Sequence, residues 1–564
     1  MKIKARLILV FFIIFVMFFG LGIRLFYIQL IKHDAYASKA RSTSTAGNPV
    51  NSPPRGNIYD RNGEKLAINR HTYSVGFSPY QGEGSTELKR ALSNNLNISY
   101  ARINQLFNSY QSFFWISRKA PPDNIKNLYK YCLDGLIIEK ENSRLYPREP
   151  LATSVIGKVG MDNQGLSGIE FNFDQQLKEK RTNYQSLIDA HGRRIVRERP
   201  NFSNRSSEVV LTIDSNLQYI THRELEKGFE KYDPNWAIGI IQDPHTGEIL
   251  ALATYPERNS IQISKIDNNK LKNKAVSNIF EPGSTFKIVT AAGALEEELV
   301  TPGEMIDCEG GEYKVGGFPI RDFEPYDELS FQESMWYSSN IGLAKIGDRL
   351  GANLLYKYSR DFGFGNFTGI RLPGEVRGIL RKPDRWSGTS VSRISFGQEV
   401  GVNAIQLAGA FSTIASGGIL YEPRIVKKSS TDKSQNNFDK MPVRRVISEE
   451  VADTMKDILL NVVEKGSGFR GKVPGYQTAG KTGTAQKFDP ETKTYAEDKY
   501  VALFGGFVPV EDPKYTIVVI FDEPAGDLHW GGYVAAPVFS NIARSALSYS
   551  NTLDYKYVMK NQVK

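Results

Sequence analysis

Three separated segments of this chain carry side chains suited to acyl transfer. Ser284-Thr285-Phe286-Lys287 follows Glu281-Pro282-Gly283 and runs into the helical stretch Ile288 to Leu295. Residues three apart on a helix share a face, so the Ser284 hydroxyl and the Lys287 amine can meet. A serine beside a neutral lysine is a workable nucleophile with its general base. The free N–H groups and positive dipole end of a helix start suit a developing oxyanion. Keeping Lys287 neutral requires a pKa roughly three below its ordinary value, about 4 kcal/mol. Burial is an expected cause.

Taken alone, S-x-x-K is a weak signal, because it recurs by chance at Ser430-Thr431-Asp432-Lys433 inside a polar stretch. Two later segments strengthen the first copy. Ser338-Ser339-Asn340 offers a hydroxyl and an amide from a loop between helical pieces. Lys481-Thr482-Gly483-Thr484 reads as an edge strand whose Gly483 lets a substrate backbone approach closely.

The elements that must bring these segments together are legible as hairpins and helices. Trp236 to Ile241 returns through Asp243-Pro244-His245-Thr246-Gly247 to Glu248 to Ala253, and Tyr500 to Val508 returns to Tyr515 to Ile520. Short turns between such runs predict an antiparallel sheet, with helices from the middle of the domain and a last helix, Ala535 to Leu547. Further upstream, Asn62-Gly63 between Ile58-Tyr59 and Leu66-Ala67 predicts a two-residue hairpin turn. Residues 85–140 read as mostly helical. Asp60, Arg61 and Glu170 are expected to shape their own domain rather than to act on substrate.

At 564 residues the chain is too long for one ordinary core. Lys2, Lys4 and Arg6 precede an uncharged run, Leu7 to Ile23, which at about 1.5 Å per residue covers roughly 25 Å of hydrocarbon. Arg24 can snorkel, extending the span to about residue 30, and the leading basic residues favour an N-terminus inside. Ala35-Tyr36-Ala37 offers a signal-cleavage alternative, but the apolar run exceeds a usual signal core and favours a retained anchor. The predicted layout is a cytoplasmic tail over 1–6, a transmembrane anchor over 7–30, an N-terminal non-catalytic domain over 31–205, a catalytic domain over 206–548 and a polar tail over 549–564.

The net charge of +9 is interspersed rather than clustered, so no nucleic-acid partner is expected. Cys132 and Cys308 match no metal or redox spacing, and the six histidines form no metal motif. Neither a metal nor a cofactor is expected.

S-x-x-K, an S-x-N triplet and K-T-G in this order resemble the penicillin-binding proteins. The likeness extends to Val210 to Asp214, Asp243 to Ala253 and Gly480 to Lys487. The segments Arg55 to Ala67 and Tyr146 through Glu170 resemble the N-terminal domain of class B members. The resemblance implies an α/β (α+β) fold, with a five-stranded antiparallel sheet flanked by helices and an N-terminal α+β domain. It implies a serine-type D-Ala-D-Ala transpeptidase in which Ser284, Lys287, Ser338, Asn340 and Lys481 are catalytic, with a positive Lys481 near Lys287 as a second expected cause of its lowered pKa. Thr482, Gly483 and Thr484 would bind substrate, with the N–H groups of Ser284 and Thr484 as oxyanion hole. Stem peptides, β-lactams, a SEDS-type glycosyltransferase and other division proteins are the implied partners. Tyr337 to Gly342 and Ser395 to Glu399 are similar to the division-specific type. The elongation-specific type and a silent scaffold remain alternatives. A β-lactamase is disfavoured, because neither Leu-Asn pair, at Asn97 or Asn461, lies in an E-x-x-L-N setting.

Overall fold

The structure is a computed structural model that describes residues 2–33, 54–110, 112–131, 135–178, 187–188, 194–195, 207–257, 272–429, 441–489 and 494–562. Cys132 and the second S-x-x-K copy, Ser430 to Lys433, lie outside them. The described residues gather into two compact units. One holds those within Met1–Pro54, Arg70–Ser143 and Glu179–Arg205, the other those within Arg55–Asn69, Arg144–Lys178 and Ser206–Lys564.

In the first unit, α1 (Lys2–Phe26) continues through a short wider turn, and Leu7–Ile31 is the one helical stretch among the described residues long and apolar enough to cross a membrane. The same unit holds the part of β2 (Lys65–Phe77) beyond Asn69, which pairs antiparallel with β3 (Phe114–Ala120) and also pairs with β4 (Leu136–Leu145). Helices α2 (Thr86–Leu96) and α3 (Tyr100–Ser109) supply its core, where Leu88, Leu92 and Ile103 meet Val75, Phe77 and Phe114. Ser85 fixes the start of α2 by accepting the Leu88 N–H at 3.1 Å, as a capping serine does.

In the second unit, β1 (Ile58–Tyr59) pairs antiparallel with the start of β2 and parallel with β5 (Val209–Leu211). The hairpin forms as the sequence predicts, but its turn is longer than two residues. Asp60 Oδ1 accepts the N–H of Asn62 and of Glu64, both at 2.8 Å, so a side chain organises the loop that Asn-Gly was expected to close alone. Asp60 Oδ2 also accepts the Ser215 N–H at 3.1 Å.

Buried charges pin residues 144–178 to the same hairpin. Arg55 Nε donates to Glu170 at 2.9 Å, its Nη1 to Asp174 at 2.6 Å, and Arg144 Nε to Glu170 at 2.6 Å, with Arg55 and Glu170 almost fully buried. Buried charges persist only when paired in this way.

The centre of the unit is a five-stranded antiparallel sheet. Its members are β6 (Trp236–Gln242), β7 (Ile249–Tyr255), β9 (Ala479–Asp489), β10 (Thr494–Val508) and β11 (Tyr515–Asp522), in the order β9-β10-β11-β6-β7, while β8 (Val426–Ser429) pairs antiparallel with β5 instead. The unbroken apolar runs in β6 and β11 are buried throughout, as a sheet covered on both faces requires. One face packs on α4 (Ser215–Tyr232) and α10 (Gly531–Gln562) through Leu217, Leu225, Phe521 and Phe539. The other packs on α5 (Lys287–Glu296), α8 (Ala404–Ala415) and α9 (Glu449–Glu464). Helix α10 starts four residues earlier than Ala535, because the Tyr533 and Val534 N–H groups both find the Trp530 carbonyl.

Candidate active site

Ser284 sits in a tight helical turn, Gly283–Phe286, that feeds directly into α5. In such a turn residues i and i+3 nearly eclipse, which stacks Lys287 behind Ser284. Among the described residues no hydrogen bond joins the two. Lys287 Nζ is instead bonded to the Ser338 carbonyl at 2.6 Å, the Asn340 Oδ1 at 2.8 Å and the Ser338 hydroxyl at 3.2 Å.

Local sequence explains why Ser338 and Asn340 present themselves this way. A capping box of Ser330 and Glu333 starts α6 (Phe331–Trp336). The helix closes with the Ser339 N–H on the Ser334 carbonyl at 2.8 Å, and Ser338 takes the left-handed position at φ 63°. Glycine is the usual occupant of that position, because a side chain there costs on the order of 1 kcal/mol. The strain turns both Ser338 oxygens toward Lys287. Asn340 then opens α7 (Asn340–Asp361), with Ser339 Oγ accepting the Gly342 N–H at 2.9 Å.

Asp322 completes this corner, and sequence reasoning missed it. Its carboxylate accepts the Ser339 hydroxyl and the Asn340 N–H at 2.5 Å each, and the Ile341 N–H at 3.1 Å. A carboxylate at a helix start suits the dipole. The Asn340 amide is fixed on its other side by donating to the Arg321 carbonyl at 2.9 Å, which leaves Oδ1 for Lys287.

The third segment lies on β9 at the edge of the sheet. Lys481 Nζ donates to the Ser338 hydroxyl at 2.8 Å, so that hydroxyl sits between two amines. Both lysines are completely buried. Burial pushes Lys287 down to about 7, against the upward pull of the Asp322 carboxylate. Burial and then the charge of Lys287 push Lys481 down as well. The expected cause therefore holds for burial, whereas the mutual repulsion falls on Lys481 and Asp322 opposes it at Lys287.

The hydroxyls of the strand's two threonines are also occupied. Ser467 Oγ lies 3.0 Å from Thr482 Oγ1, and the Gly531 N–H donates to Thr484 Oγ1 at 3.0 Å. The expectation that Gly483 admits a substrate backbone takes a different form here, since the protein itself occupies the space. A Cβ on Gly483 would fall 2.1 Å from Leu503 Cδ1 and 2.9 Å from the Pro282 carbonyl, just ahead of Ser284. The three predicted segments thus meet. Lys287, Ser338, Asn340 and Lys481 share one hydrogen-bond network, with Ser284 on the Lys287 turn and Thr484 beside it, because a Cβ on Gly283 would lie 3.0 Å from the Thr484 carbonyl. Among the described residues no cluster of three or more metal-ligating side chains occurs.

Comparison with known proteins finds relatives over most of the chain. Residues 237–544 match the penicillin binding protein transpeptidase domain, and residues 50–210 the penicillin-binding protein dimerisation domain. Stage V sporulation protein D of Bacillus subtilis is 33% identical over 97% of this chain and 86% of its own length. The peptidoglycan D,D-transpeptidase FtsI of Escherichia coli is 29% identical over 94% of this chain and 89% of its own. Penicillin binding protein 3 of Mycobacterium tuberculosis, solved with aztreonam, superimposes with a TM-score of 0.68 at 27% identity, covering 89% of this chain and 97% of that one. The chain belongs to the class B penicillin-binding proteins, the serine-type D,D-transpeptidases of peptidoglycan.

Proposed function

We propose that Ser284 is the acylated nucleophile of a transpeptidase acting in septal wall synthesis. The observation that carries the catalytic part is the buried Lys287 amine, held by Ser338 and Asn340 with its pKa pushed down to about 7. A lysine titrating near neutrality is a competent base at working pH. Ser284 Oγ adds to the carbonyl of the penultimate D-Ala while its proton passes to Lys287. The C–N bond then breaks, and the departing D-Ala nitrogen takes a proton from the Ser338 hydroxyl, which Lys287 replenishes. An amine from a neighbouring stem attacks the acyl-enzyme along the reverse path. Thr482 and Thr484 hold the terminal carboxylate, and the Ser284 and Thr484 N–H groups receive the oxyanion. Acylation by β-lactams follows the first half of the same sequence.

The septal assignment is supported by the resemblance of Tyr337 to Gly342 and Ser395 to Glu399 to division-specific members. Lys2, Lys4 and Arg6 ahead of the span support an N-terminus inside and the catalytic unit outside the cytoplasmic membrane. That placement suits pairing with a SEDS-type glycosyltransferase. Fluorescent penicillin should label the wild type and not Ser284→Ala, with both folded by circular dichroism; equal labelling rejects Ser284. Depletion that gives filaments supports septation, and rounded cells support the elongation reading.

A further inference from the structure

Thr482 and Thr484 lie two apart on one strand, so their side chains project from the same face. A hydroxyl has one proton and two lone pairs. To hold an anionic carboxylate it must give that proton to the anion, so any other partner must donate to it. The Gly531 N–H meets this requirement at Thr484, because a backbone N–H can only donate, at 3.0 Å here. Among the described residues no backbone N–H donates to the Thr482 hydroxyl. Its partner is the Ser467 hydroxyl at 3.0 Å, which can donate equally well.

Ser467 is placed with little freedom. Its N–H donates to the Trp336 carbonyl at 3.0 Å, two residues before Ser338. A Cβ on the preceding Gly466 would lie 2.2 Å from that same carbonyl, and a Cβ on Gly532 2.9 Å from the Ser467 carbonyl. The loop is therefore wedged between the end of α6, which presents Ser338, and the first turn of α10, which presents Gly531. A glycine on either side leaves the space that Ser467 needs.

We propose that Ser467 is a positioning residue of the carboxylate subsite. It donates to Thr482 Oγ1 and so aims the Thr482 proton at the terminal carboxylate of the donor stem peptide, as Gly531 does for Thr484. The inference rests on the reading above that the two threonines bind this carboxylate.

The test compares second-order acylation rate constants for benzylpenicillin and its methyl ester, the ester lacking the anion. The acid-to-ester ratio within one variant is independent of how much of that variant is folded. Loss of one hydrogen bond to a charged group corresponds to about a 10-fold effect. Ser467→Ala should lower the ratio about 10-fold by slowing the acid alone, and Ser467→Thr should restore it to within about 3-fold. A ratio unchanged in Ser467→Ala, or acid and ester slowed equally, overturns the proposal. Thr482→Val separates the two levels. If it leaves the ratio unchanged, the carboxylate reading fails and the inference with it. If it collapses the ratio while Ser467→Ala does not, only the role of Ser467 fails.

Discussion

Asp322 accepts the backbone N–H of Asn340 at 2.5 Å, so the helix that delivers the Asn340 amide to Lys287 begins on a carboxylate. That same charge raises the pKa of Lys287, against a burial that lowers it to about 7. One side chain therefore positions Asn340 and also opposes the burial that lowers the Lys287 pKa.

Asp322→Asn should shift the rising limb of the acylation pH profile to lower pH. The sign follows from the charge: removing a carboxylate that favours the ammonium form makes Lys287 neutral at lower pH. The plateau should fall about 10-fold, because Asn340 loses a fixed acceptor. Stopped-flow acylation between about pH 5 and 9 reads both effects. A limb moving upward would contradict this assignment.

Gly483→Ala should cut acylation by at least about 10-fold and lower thermal stability. The new methyl group meets Leu503 Cδ1 at 2.1 Å and the Pro282 carbonyl at 2.9 Å, and the carbonyl belongs to the backbone that sets Ser284. Overpacking of this kind costs about 1–3 kcal/mol. Differential scanning fluorimetry and penicillin labelling check the two effects together.

Glu170→Ala leaves the Arg55 and Arg144 guanidiniums buried with the carboxylate that joins them removed. Breaking such a cluster costs about 3–5 kcal/mol. Urea unfolding should show a loss of that order, while acylation by the folded fraction stays within about 2-fold of wild type, since Glu170 touches nothing in the site. A stability loss below about 1 kcal/mol would mean the cluster is solvated.

Glu257 gives a pH dependence of stability. Burial raises its carboxyl to about 8, although the Ser154 N–H donates to it at 2.7 Å. Between its ordinary value and about 8 the folded state keeps a proton that the unfolded state has released, so stability falls as pH rises through that window. Glu257→Gln removes the titration. It should raise the melting temperature at pH 8 by several degrees and change it little at pH 5, and an equal gain at both would exclude this group.

How far the sequence alone reached depended on the kind of information each feature carries. The meeting of Lys287, Ser338, Asn340 and Lys481 was legible because each segment pairs particular residue types with the end of a recognisable element. The sheet was legible from apolar runs broken by turns. Asp322 was not, since a lone aspartate in a polar stretch becomes meaningful only where the fold sets it against α7, 18 residues later. Ser467 was hidden for the same reason. At Asn62-Gly63 the local turn signal lost to the Asp60 side chain, which two backbone N–H groups satisfy better than a tight turn would. Gly483 was read as a point of approach for a substrate backbone, whereas the space a side chain there would fill is taken by the chain's own Pro282 and Leu503.

Because Lys481 reaches Ser338 across 143 residues of intervening chain, no fragment that stops short of β9 can close the network that holds the Ser338 hydroxyl between two amines. The two ends of that network come from opposite parts of the catalytic unit, and the second amine arrives only with β9 at the sheet edge beside β10.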